Sequence, residues 1–221
     1  MSNLPDTVKR LRILTVGAPG VGKTTANMAC MTGKFPSDAP KEYNDYSDAI
    51  NAQRILVNGH MLGLNGTDLP SVIDDAVADT DNAGKRQVEY GMMMHPHHVV
   101  ICMYDISRPD TLVALEQKII PEFKKSRPAG HPPISFVIVG CKADLRASDD
   151  DNSCVPLEGF DTGKALFLKE EKEGCIGWCD ISAKNVLDWG GLEEVLKIIV
   201  DHWDKMGYFK PEKKKGCCIV Q

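Results

Sequence analysis

Residues 17–24 of this 221-residue chain read Gly-Ala-Pro-Gly-Val-Gly-Lys-Thr. The run fits the P-loop template Gly-x-x-x-x-Gly-Lys-[Ser/Thr] at every fixed position. The apolar residues 11–16 before it predict a β-strand, and residues 23–31 after it predict a helix. A glycine-rich loop between a strand and a helix is the setting in which this motif binds phosphate.

The residue types of the loop explain that chemistry. Gly20 and Gly22 let backbone N–H groups curl around an anion without Cβ clashes, and the helix N-terminus adds partial positive charge. We expect Lys23 to reach the β- and γ-phosphates and the Thr24 hydroxyl to ligate Mg²⁺. The predicted phosphate-binding residues are Ala18, Pro19, Gly20, Val21, Gly22, Lys23, Thr24 and Thr25.

The composition is that of an ordinary globular protein, with 43% hydrophobic and 26% charged residues. A net charge of −5 gives no overall attraction to nucleic acid, so no nucleic-acid partner is expected. The 8 cysteines are scattered, the N-terminus is short and polar, and no apolar run approaches the ~20 residues of a membrane span. These features predict a cytosolic chain with reduced thiols.

Apolar runs alternate with amphipathic ones, which predicts an α/β fold: a mostly parallel central sheet with helices on both faces. The turn Asn58-Gly59 predicts a hairpin, and residues 65–84 predict a long acidic loop. The other predicted strands are 99–104, 134–139 and 176–181, and the other predicted helices are 110–125, 162–173 and 192–206. We expect an N-terminal extension at 1–7, one domain at 8–206 and a flexible tail at 207–221.

Two later stretches indicate the nucleotide. Cys141-Lys142-Ala143-Asp144 follows a buried strand, at the edge where an open α/β sheet places its ligands. The Asp144 carboxylate can accept hydrogen bonds from guanine N1–H and the exocyclic amine, a donor pair that adenine lacks, and the Lys142 stem can lie along the base. Ser182-Ala183-Lys184 follows the last strand, where a backbone N–H can meet guanine O6.

These stretches resemble the small GTPases of the Ras superfamily, and more narrowly the Rho/Rac branch. The resemblance covers essentially the whole chain. It is carried by residues 17–24, Phe35-Pro36, Tyr43-Asn44-Asp45-Tyr46-Ser47, Val57-Asn58-Gly59, Cys141-Lys142-Ala143-Asp144-Leu145-Arg146, Ser182-Ala183-Lys184 and Cys218-Ile219-Val220-Gln221. It implies the P-loop small-GTPase fold, GTP, GDP and Mg²⁺ as ligands, and effector and regulator proteins of Rho-type signalling as partners.

Switch I departs from the family, in which a threonine bonds Mg²⁺ and the γ-phosphate. Aligning Pro40 and residues 43–46 with the Rho pattern puts Lys41 at that position, and no threonine lies between Thr32 and Thr67. A lysine can pair with the γ-phosphate but cannot ligate Mg²⁺. A solvent-facing Lys41 is the alternative.

Switch II departs further from the family pattern Asp-x-x-Gly-Gln, whose glutamine orients the attacking water. One register replaces the Asp, Gly and Gln by Gly66, Leu69 and Pro70. The other places the motif at residues 79–86 with two residues inserted, and Lys85 then replaces the glutamine. Neither register supplies a glutamine, so no catalytic residue is assigned.

Two further departures concern the base motif and the segment after it. Cys141 stands where the family has Asn, a position at which some Rac members carry Thr, so guanine preference is expected to survive. Residues 145–156 are shorter than the helical insert of Rho proteins.

The tail carries a prenylation template. Cys218-Ile219-Val220-Gln221 has two aliphatic residues and a terminal Gln that usually selects farnesyl. Cys217 is a candidate for palmitoylation, and Lys213, Lys214 and Lys215 add charge that attracts an anionic membrane. We expect attachment to the cytoplasmic face of the plasma membrane or endomembranes, with a cytosolic pool.

Three functions are compatible with these observations. The leading one is a membrane-anchored, guanine-nucleotide-binding signalling protein of Rho type with slow or absent hydrolysis, which acts by recruiting partners. The second is a working GTP hydrolase with non-standard switch residues. The third, an ATP phosphotransferase, is disfavoured by Asp144 and by residues 182–184.

Overall fold

A computed structural model describes residues 9–32, 34–36, 54–68, 98–125, 134–146, 158–185 and 191–209. Its central sheet has six strands in the order β2-β3-β1-β4-β5-β6. Among the described strands, only β2 runs antiparallel to its neighbour. The strands are β1 Lys9–Gly17, β2 Arg54–Val57, β3 His60–Asp68, β4 Val99–Asp105, β5 Ser135–Cys141 and β6 Cys175–Asp180.

The helices cover both faces of the sheet, as the sequence predicts. They are α1 Lys23–Thr32, α2 Pro109–Ala114, α3 Ile120–Lys125, α4 Glu158–Glu170 and α5 Leu192–Lys205. One core packs Ala26 of α1 and Leu196 and Ile199 of α5 against the sheet. The other contains Leu115, Phe123 and Leu166, on the opposite side. Alternating strand residues feed the two cores, because successive side chains of a strand point to opposite faces.

Residues 115–119, between α2 and α3, form a π-helical segment in the predicted helix 110–125. Pro121 follows two residues later and offers no backbone N–H, so the regular ladder cannot continue through it. Leu115 and Ile119 of the segment remain buried. The predicted helix is therefore present, with a local change of hydrogen bonding.

The hairpin forms at the predicted turn. Asn58 and Gly59 have φ values of 47° and 82°, and Val57 pairs with His60 across the turn. The predicted loop is wrong at residues 65–68, because β3 continues to Asp68 in parallel pairing with β1. Its last pair joins Asp68 to Thr15, whereas Gly66 lies within the strand opposite Ile13.

The packed chain extends to Phe209, three residues past the boundary predicted at 206. The Phe209 ring stacks on His60 of β3 at 3.9 Å between centroids, and Tyr208 packs on Trp203 of α5 at 4.6 Å. Asn58 Nδ2 also donates to Asp201 Oδ1 at 2.7 Å. The end of α5 is thereby attached to the β2–β3 hairpin. No helix in the described part of the chain is both long and apolar enough to cross a membrane.

Candidate nucleotide-binding site

The P-loop connects β1 to α1 at the carboxyl edge of the sheet. Gly20 and Gly22 have φ values of +73° and +110°, a region that favours glycine. The Ala26 N–H donates to the Gly22 carbonyl at 2.9 Å and starts the hydrogen bonding of α1. The loop therefore has the conformation that a phosphate cradle needs, with the positive end of the α1 dipole beside it.

Lys23 crosses the loop. Its Nζ donates to the carbonyl oxygens of Gly17 at 2.6 Å and Ala18 at 3.0 Å. Only 7% of Lys23 is exposed, so an ammonium group is held in a largely desolvated position. A cation so placed interacts strongly with an anion, since the local dielectric constant is far below that of water.

Arg108 contacts a backbone carbonyl of the same loop. Its Nη1 donates to the Pro19 carbonyl at 3.3 Å, and its Nη2 pairs with Asp110 Oδ2 at 3.2 Å. An alanine Cβ at Gly20 would lie 3.5 Å from the Arg108 Nη1. The loop thus has a second cation beside it, which the sequence analysis missed because Arg108 lies 89 residues from Pro19.

A cleft of about 290 Å³ runs from the P-loop to the base motif. This volume is close to the lower end of the range for small-molecule sites. The cleft is lined by Gly20, Val21, Gly22, Thr25, Ala26, Phe35, Cys141, Lys142, Asp144, Leu145, Ile181, Ala183 and Lys184. The structure thus brings both predicted halves of the site to one cavity.

Asp144 and the 182–184 loop meet at the other end of the cleft. The Asp144 carboxylate accepts from Ser182 Oγ at 2.7 Å on Oδ1 and from Lys184 Nζ at 2.6 Å on Oδ2. Burial alone would raise the pKa of Asp144, but the hydrogen bonds from Lys184 and Ser182 outweigh it and lower the pKa from 3.8. The carboxylate is therefore ionised and able to accept hydrogen bonds from a base.

Backbone bonds attach the two base loops to each other. The Ala143 N–H donates to the Ile181 carbonyl at 2.9 Å, and the Ile181 N–H donates to the Gly140 carbonyl at 2.7 Å. An ion pair between Arg146 and Asp180 joins the 143–146 turn to the end of β6. Asp144 and Ser182 are therefore positioned by a shared framework.

Cys141 lies between the base loop and the P-loop. It is 4% exposed, and an alanine Cβ at Gly22 would lie 3.8 Å from its Cβ. Burial raises the pKa of the Cys141 thiol to about 12, so the group stays protonated. Cys141 thus contributes a neutral, compact wall to the cleft.

Four further cleft residues and two acids were absent from the predicted set. Ala26, Phe35, Leu145 and Ile181 line the cavity. Asp68 and Asp105 are the last residues of β3 and β4, at the same sheet edge as the P-loop. A polar residue at or just after the end of a strand was the signal available in the sequence. This signal led to the prediction of Asp144, but it was not used for Asp68 and Asp105.

The remaining predicted residues have different outcomes. Thr24 is half-buried in the first turn of α1, and its role as a Mg²⁺ ligand remains a prediction. In the described ranges, no group of three or more His, Cys, Asp or Glu side chains is arranged to hold a metal ion. Lys41, Pro70, Lys85, Lys213, Lys214, Lys215, Cys217 and Cys218 lie outside the described residues.

A comparison of the chain with models of known protein families identifies its family. A family model described as the Ras family matches residues 12–201, a range that runs from β1 into α5 and includes the P-loop and both base loops. The chain belongs to the Ras family. Members of this family are small GTPases, and the predicted fold is confirmed.

Curated relatives of this Ras-family chain point to the Rho type. The chain is 30% identical to Rho-related GTP-binding protein RhoF of Mus musculus, over 96% of this chain and 92% of the relative. It is 25% identical to Rho-related protein racM of Dictyostelium discoideum, over 87% and 89%. It is 27% identical to Mitochondrial Rho GTPase 1 of Arabidopsis thaliana over 70% of this chain, but the matched region is only 20% of that larger protein.

Proposed function

We propose that this Rho-type protein binds GTP and GDP in the cleft and signals by recruiting partners, with slow or absent hydrolysis. The observation that carries the proposal is the joining of two recognition elements in one cavity. The P-loop, which is followed by the buried Lys23, lines one end, and the ionised Asp144, to which Ser182 donates, lines the other. A nucleoside di- or triphosphate has complementary groups at both ends.

Guanine fits the base end better than adenine does. The Asp144 carboxylate is an acceptor only, and guanine N1–H and its exocyclic amine offer two adjacent donors. Adenine N1 is an acceptor and would face the carboxylate without a hydrogen bond. If adenine bound in this position, its N1 would lie in a partly buried site without a hydrogen-bond partner, which costs about 1–3 kcal/mol.

Magnesium is expected at the phosphate end. Thr24 would supply a hydroxyl ligand there, and Asp68 is an acidic candidate because its backbone ends β3 opposite Thr15 of β1. Bound Mg²⁺ would neutralise phosphate charge. The chain's own part is to hold the phosphates through the loop and Lys23.

Slow hydrolysis follows from the missing glutamine. A further register starts the family pattern Asp-x-x-Gly-Gln at Asp68, the last residue of β3, with Ser71 and Val72 at the Gly and Gln positions. This third register lacks the water-orienting glutamine, as do those that end on Pro70 or Lys85. Loss of one group that acts on the transition state typically costs about 10²–10³-fold in rate.

A working hydrolase is the second candidate, and Arg108 favours it. Its guanidinium lies beside the P-loop, 3.3 Å from the Pro19 carbonyl, and a cation near the phosphates can stabilise transition-state charge. Single-turnover GTP hydrolysis separates the two candidates. A rate equal to that of an ordinary Rho protein would favour the second.

Membrane attachment belongs to the same proposal. Farnesylation of Cys218 would give marginal affinity by itself, since one lipid chain binds reversibly. Lys213, Lys214 and Lys215 would each add roughly 1 kcal/mol near an anionic leaflet, and Cys217 could carry a second lipid. Effectors and regulators of Rho-type signalling are the proposed protein partners.

The proposal is tested by identifying the nucleotide that copurifies with the protein. The full chain is purified with Mg²⁺, denatured, and its supernatant is separated by ion-exchange chromatography beside nucleotide standards. We expect GDP or GTP at close to one equivalent. Bound ATP or ADP at that level would contradict guanine recognition.

A further inference from the structure

Asp105 is a buried carboxylate at the end of β4. The whole Asp105 residue is 0% exposed. Oδ1 accepts from the Ser107 N–H at 2.9 Å and the Ser107 hydroxyl at 2.6 Å, and Oδ2 accepts from Lys142 Nζ at 2.5 Å. Although burial alone would raise the pKa of Asp105, these hydrogen bonds outweigh it and lower the pKa from 3.8. A charge in such a place is tolerated only because each oxygen is paired.

The partner, Lys142, belongs to the nucleotide cleft. It lines the cavity with a side chain that is 40% exposed, and its backbone has φ +66°, which is uncommon for a residue other than glycine. Its carbonyl accepts the Leu145 N–H at 2.9 Å, which fixes the turn that carries Asp144. The backbone and the ammonium end of Lys142 are therefore both fixed.

Sheet pairing explains how the two ends come together. Asp105 pairs with Cys141 in the β4–β5 register, so Lys142 is one residue beyond the paired position. The ammonium points back to β4, and the four methylenes of the stem span the distance between the turn and Asp105. An unpaired lysine stem has many rotamers, whereas this one is held at both ends.

We propose that Asp105 is a positioning residue for nucleotide binding, which holds the Lys142 stem as the cleft wall on which the base packs. The inference rests on the proposed function, since it concerns the same cleft. Asp105 touches no nucleotide in this account. It acts through Lys142, and its loss should be felt mainly as faster release of the base.

Asp105→Asn, Lys142→Met and the double variant test this coupling in the full chain. Asparagine keeps the shape of the side chain and an acceptor for Ser107, but removes the charge that holds Lys142. The release of a fluorescent GDP analogue is followed by stopped flow after addition of excess GDP. We expect each single variant to release it about tenfold faster, with an association rate within twofold of the parent.

The double variant should release the analogue no more than about threefold faster than either single variant, because both changes remove one interaction. Independent effects would multiply to about 100-fold and would overturn the proposal. An unchanged release rate in Asp105→Asn would overturn it as well. Asp204→Asn is the matched control: it removes the same charge from a side chain of α5 that is 63% exposed and does not line the cleft, and should change release less than twofold.

A merely structural role for Asp105 has a different signature. Loss of folded protein would lower the binding stoichiometry and the melting temperature while the remaining folded molecules released GDP at the parent rate, and that result would contradict the proposal. If the parent chain binds no guanine nucleotide, the proposed function fails and the positioning role fails with it. If the parent binds GDP and the cycle is multiplicative, only the positioning role fails.

Discussion

Replacing Asp144 by alanine probes base recognition most specifically. The carboxylate is 26% exposed and already accepts from Ser182 Oγ and Lys184 Nζ, so it is partly desolvated and fixed in place. Guanine would add donors to an ionised acceptor, and hydrogen bonds to charged groups contribute about 1.5–3 kcal/mol. This range corresponds to about 12–160-fold in affinity, and partial exposure places the expectation in its lower half.

Isothermal titration calorimetry on nucleotide-stripped protein measures this change. GDP should bind Asp144→Ala about 12–50-fold more weakly than the parent, and ADP should bind both proteins equally weakly. Asp204→Ala, which removes an exposed carboxylate of α5 outside the cleft lining, is the control and should leave the GDP affinity unchanged. Unaltered GDP affinity in Asp144→Ala, or a parallel loss for ADP, would refute the assignment of Asp144 to the guanine edge.

The other predictions concern rate, location, stability and pH. Single-turnover GTP hydrolysis should be at least about tenfold slower than for an ordinary Rho protein, because no register supplies the glutamine; an equal rate would contradict this. Cys218→Ser should move the protein to the soluble fraction of cells, and unchanged membrane association would exclude the tail motif as the anchor. Ile199→Ala, at a 0% exposed core position of α5, should lower the free energy of unfolding by about 2–5 kcal/mol in urea titrations, whereas Leu168→Ala, 59% exposed, should change it by under about 0.5 kcal/mol. The ratio of GDP affinity to ADP affinity should stay constant from pH 7 to about pH 5, because the lowered pKa values of Asp105 and Asp144 keep both carboxylates ionised and the terminal phosphates of the two nucleotides titrate alike; a fall in that ratio over this range would contradict the assignment.

Local patterns were sufficient for much of the fold. The run 17–24 specifies its loop because the positive φ values of Gly20 and Gly22 require glycine. Asn58-Gly59 specifies its turn for the same reason. The buried strands β4 and β5 were visible as continuous apolar runs, as expected for the centre of a parallel sheet.

Contacts between residues far apart in the chain could not be predicted from such local patterns. Residues 65–68 have a weak strand pattern and become a strand because β1, some fifty residues earlier, pairs with them. The packing of Phe209 on His60 depends on where α5 ends relative to the hairpin. Neither arrangement has a local signature, since tertiary contacts override weak propensity.

The site shows the same division. Asp144 and Ser182 were found because each lies within three residues of the end of a strand and their chemistry matches a base. The pairing of Asp105 with Lys142 spans 37 residues and needs the β4–β5 register to be known. Phe35 and Leu145 are apolar, and only the shape of the cleft shows that they line it.

We propose that one cleft recognises guanine and phosphate together. The most direct test of this proposal is a side-by-side calorimetric titration of the stripped full chain with GDP and ADP, at equal Mg²⁺ and salt. We expect GDP to bind with one-to-one stoichiometry and about 10–100-fold more tightly than ADP, because a mismatched polar edge costs about 1–3 kcal/mol in a partly buried site. Equal affinities, or no binding of GDP, would contradict the account.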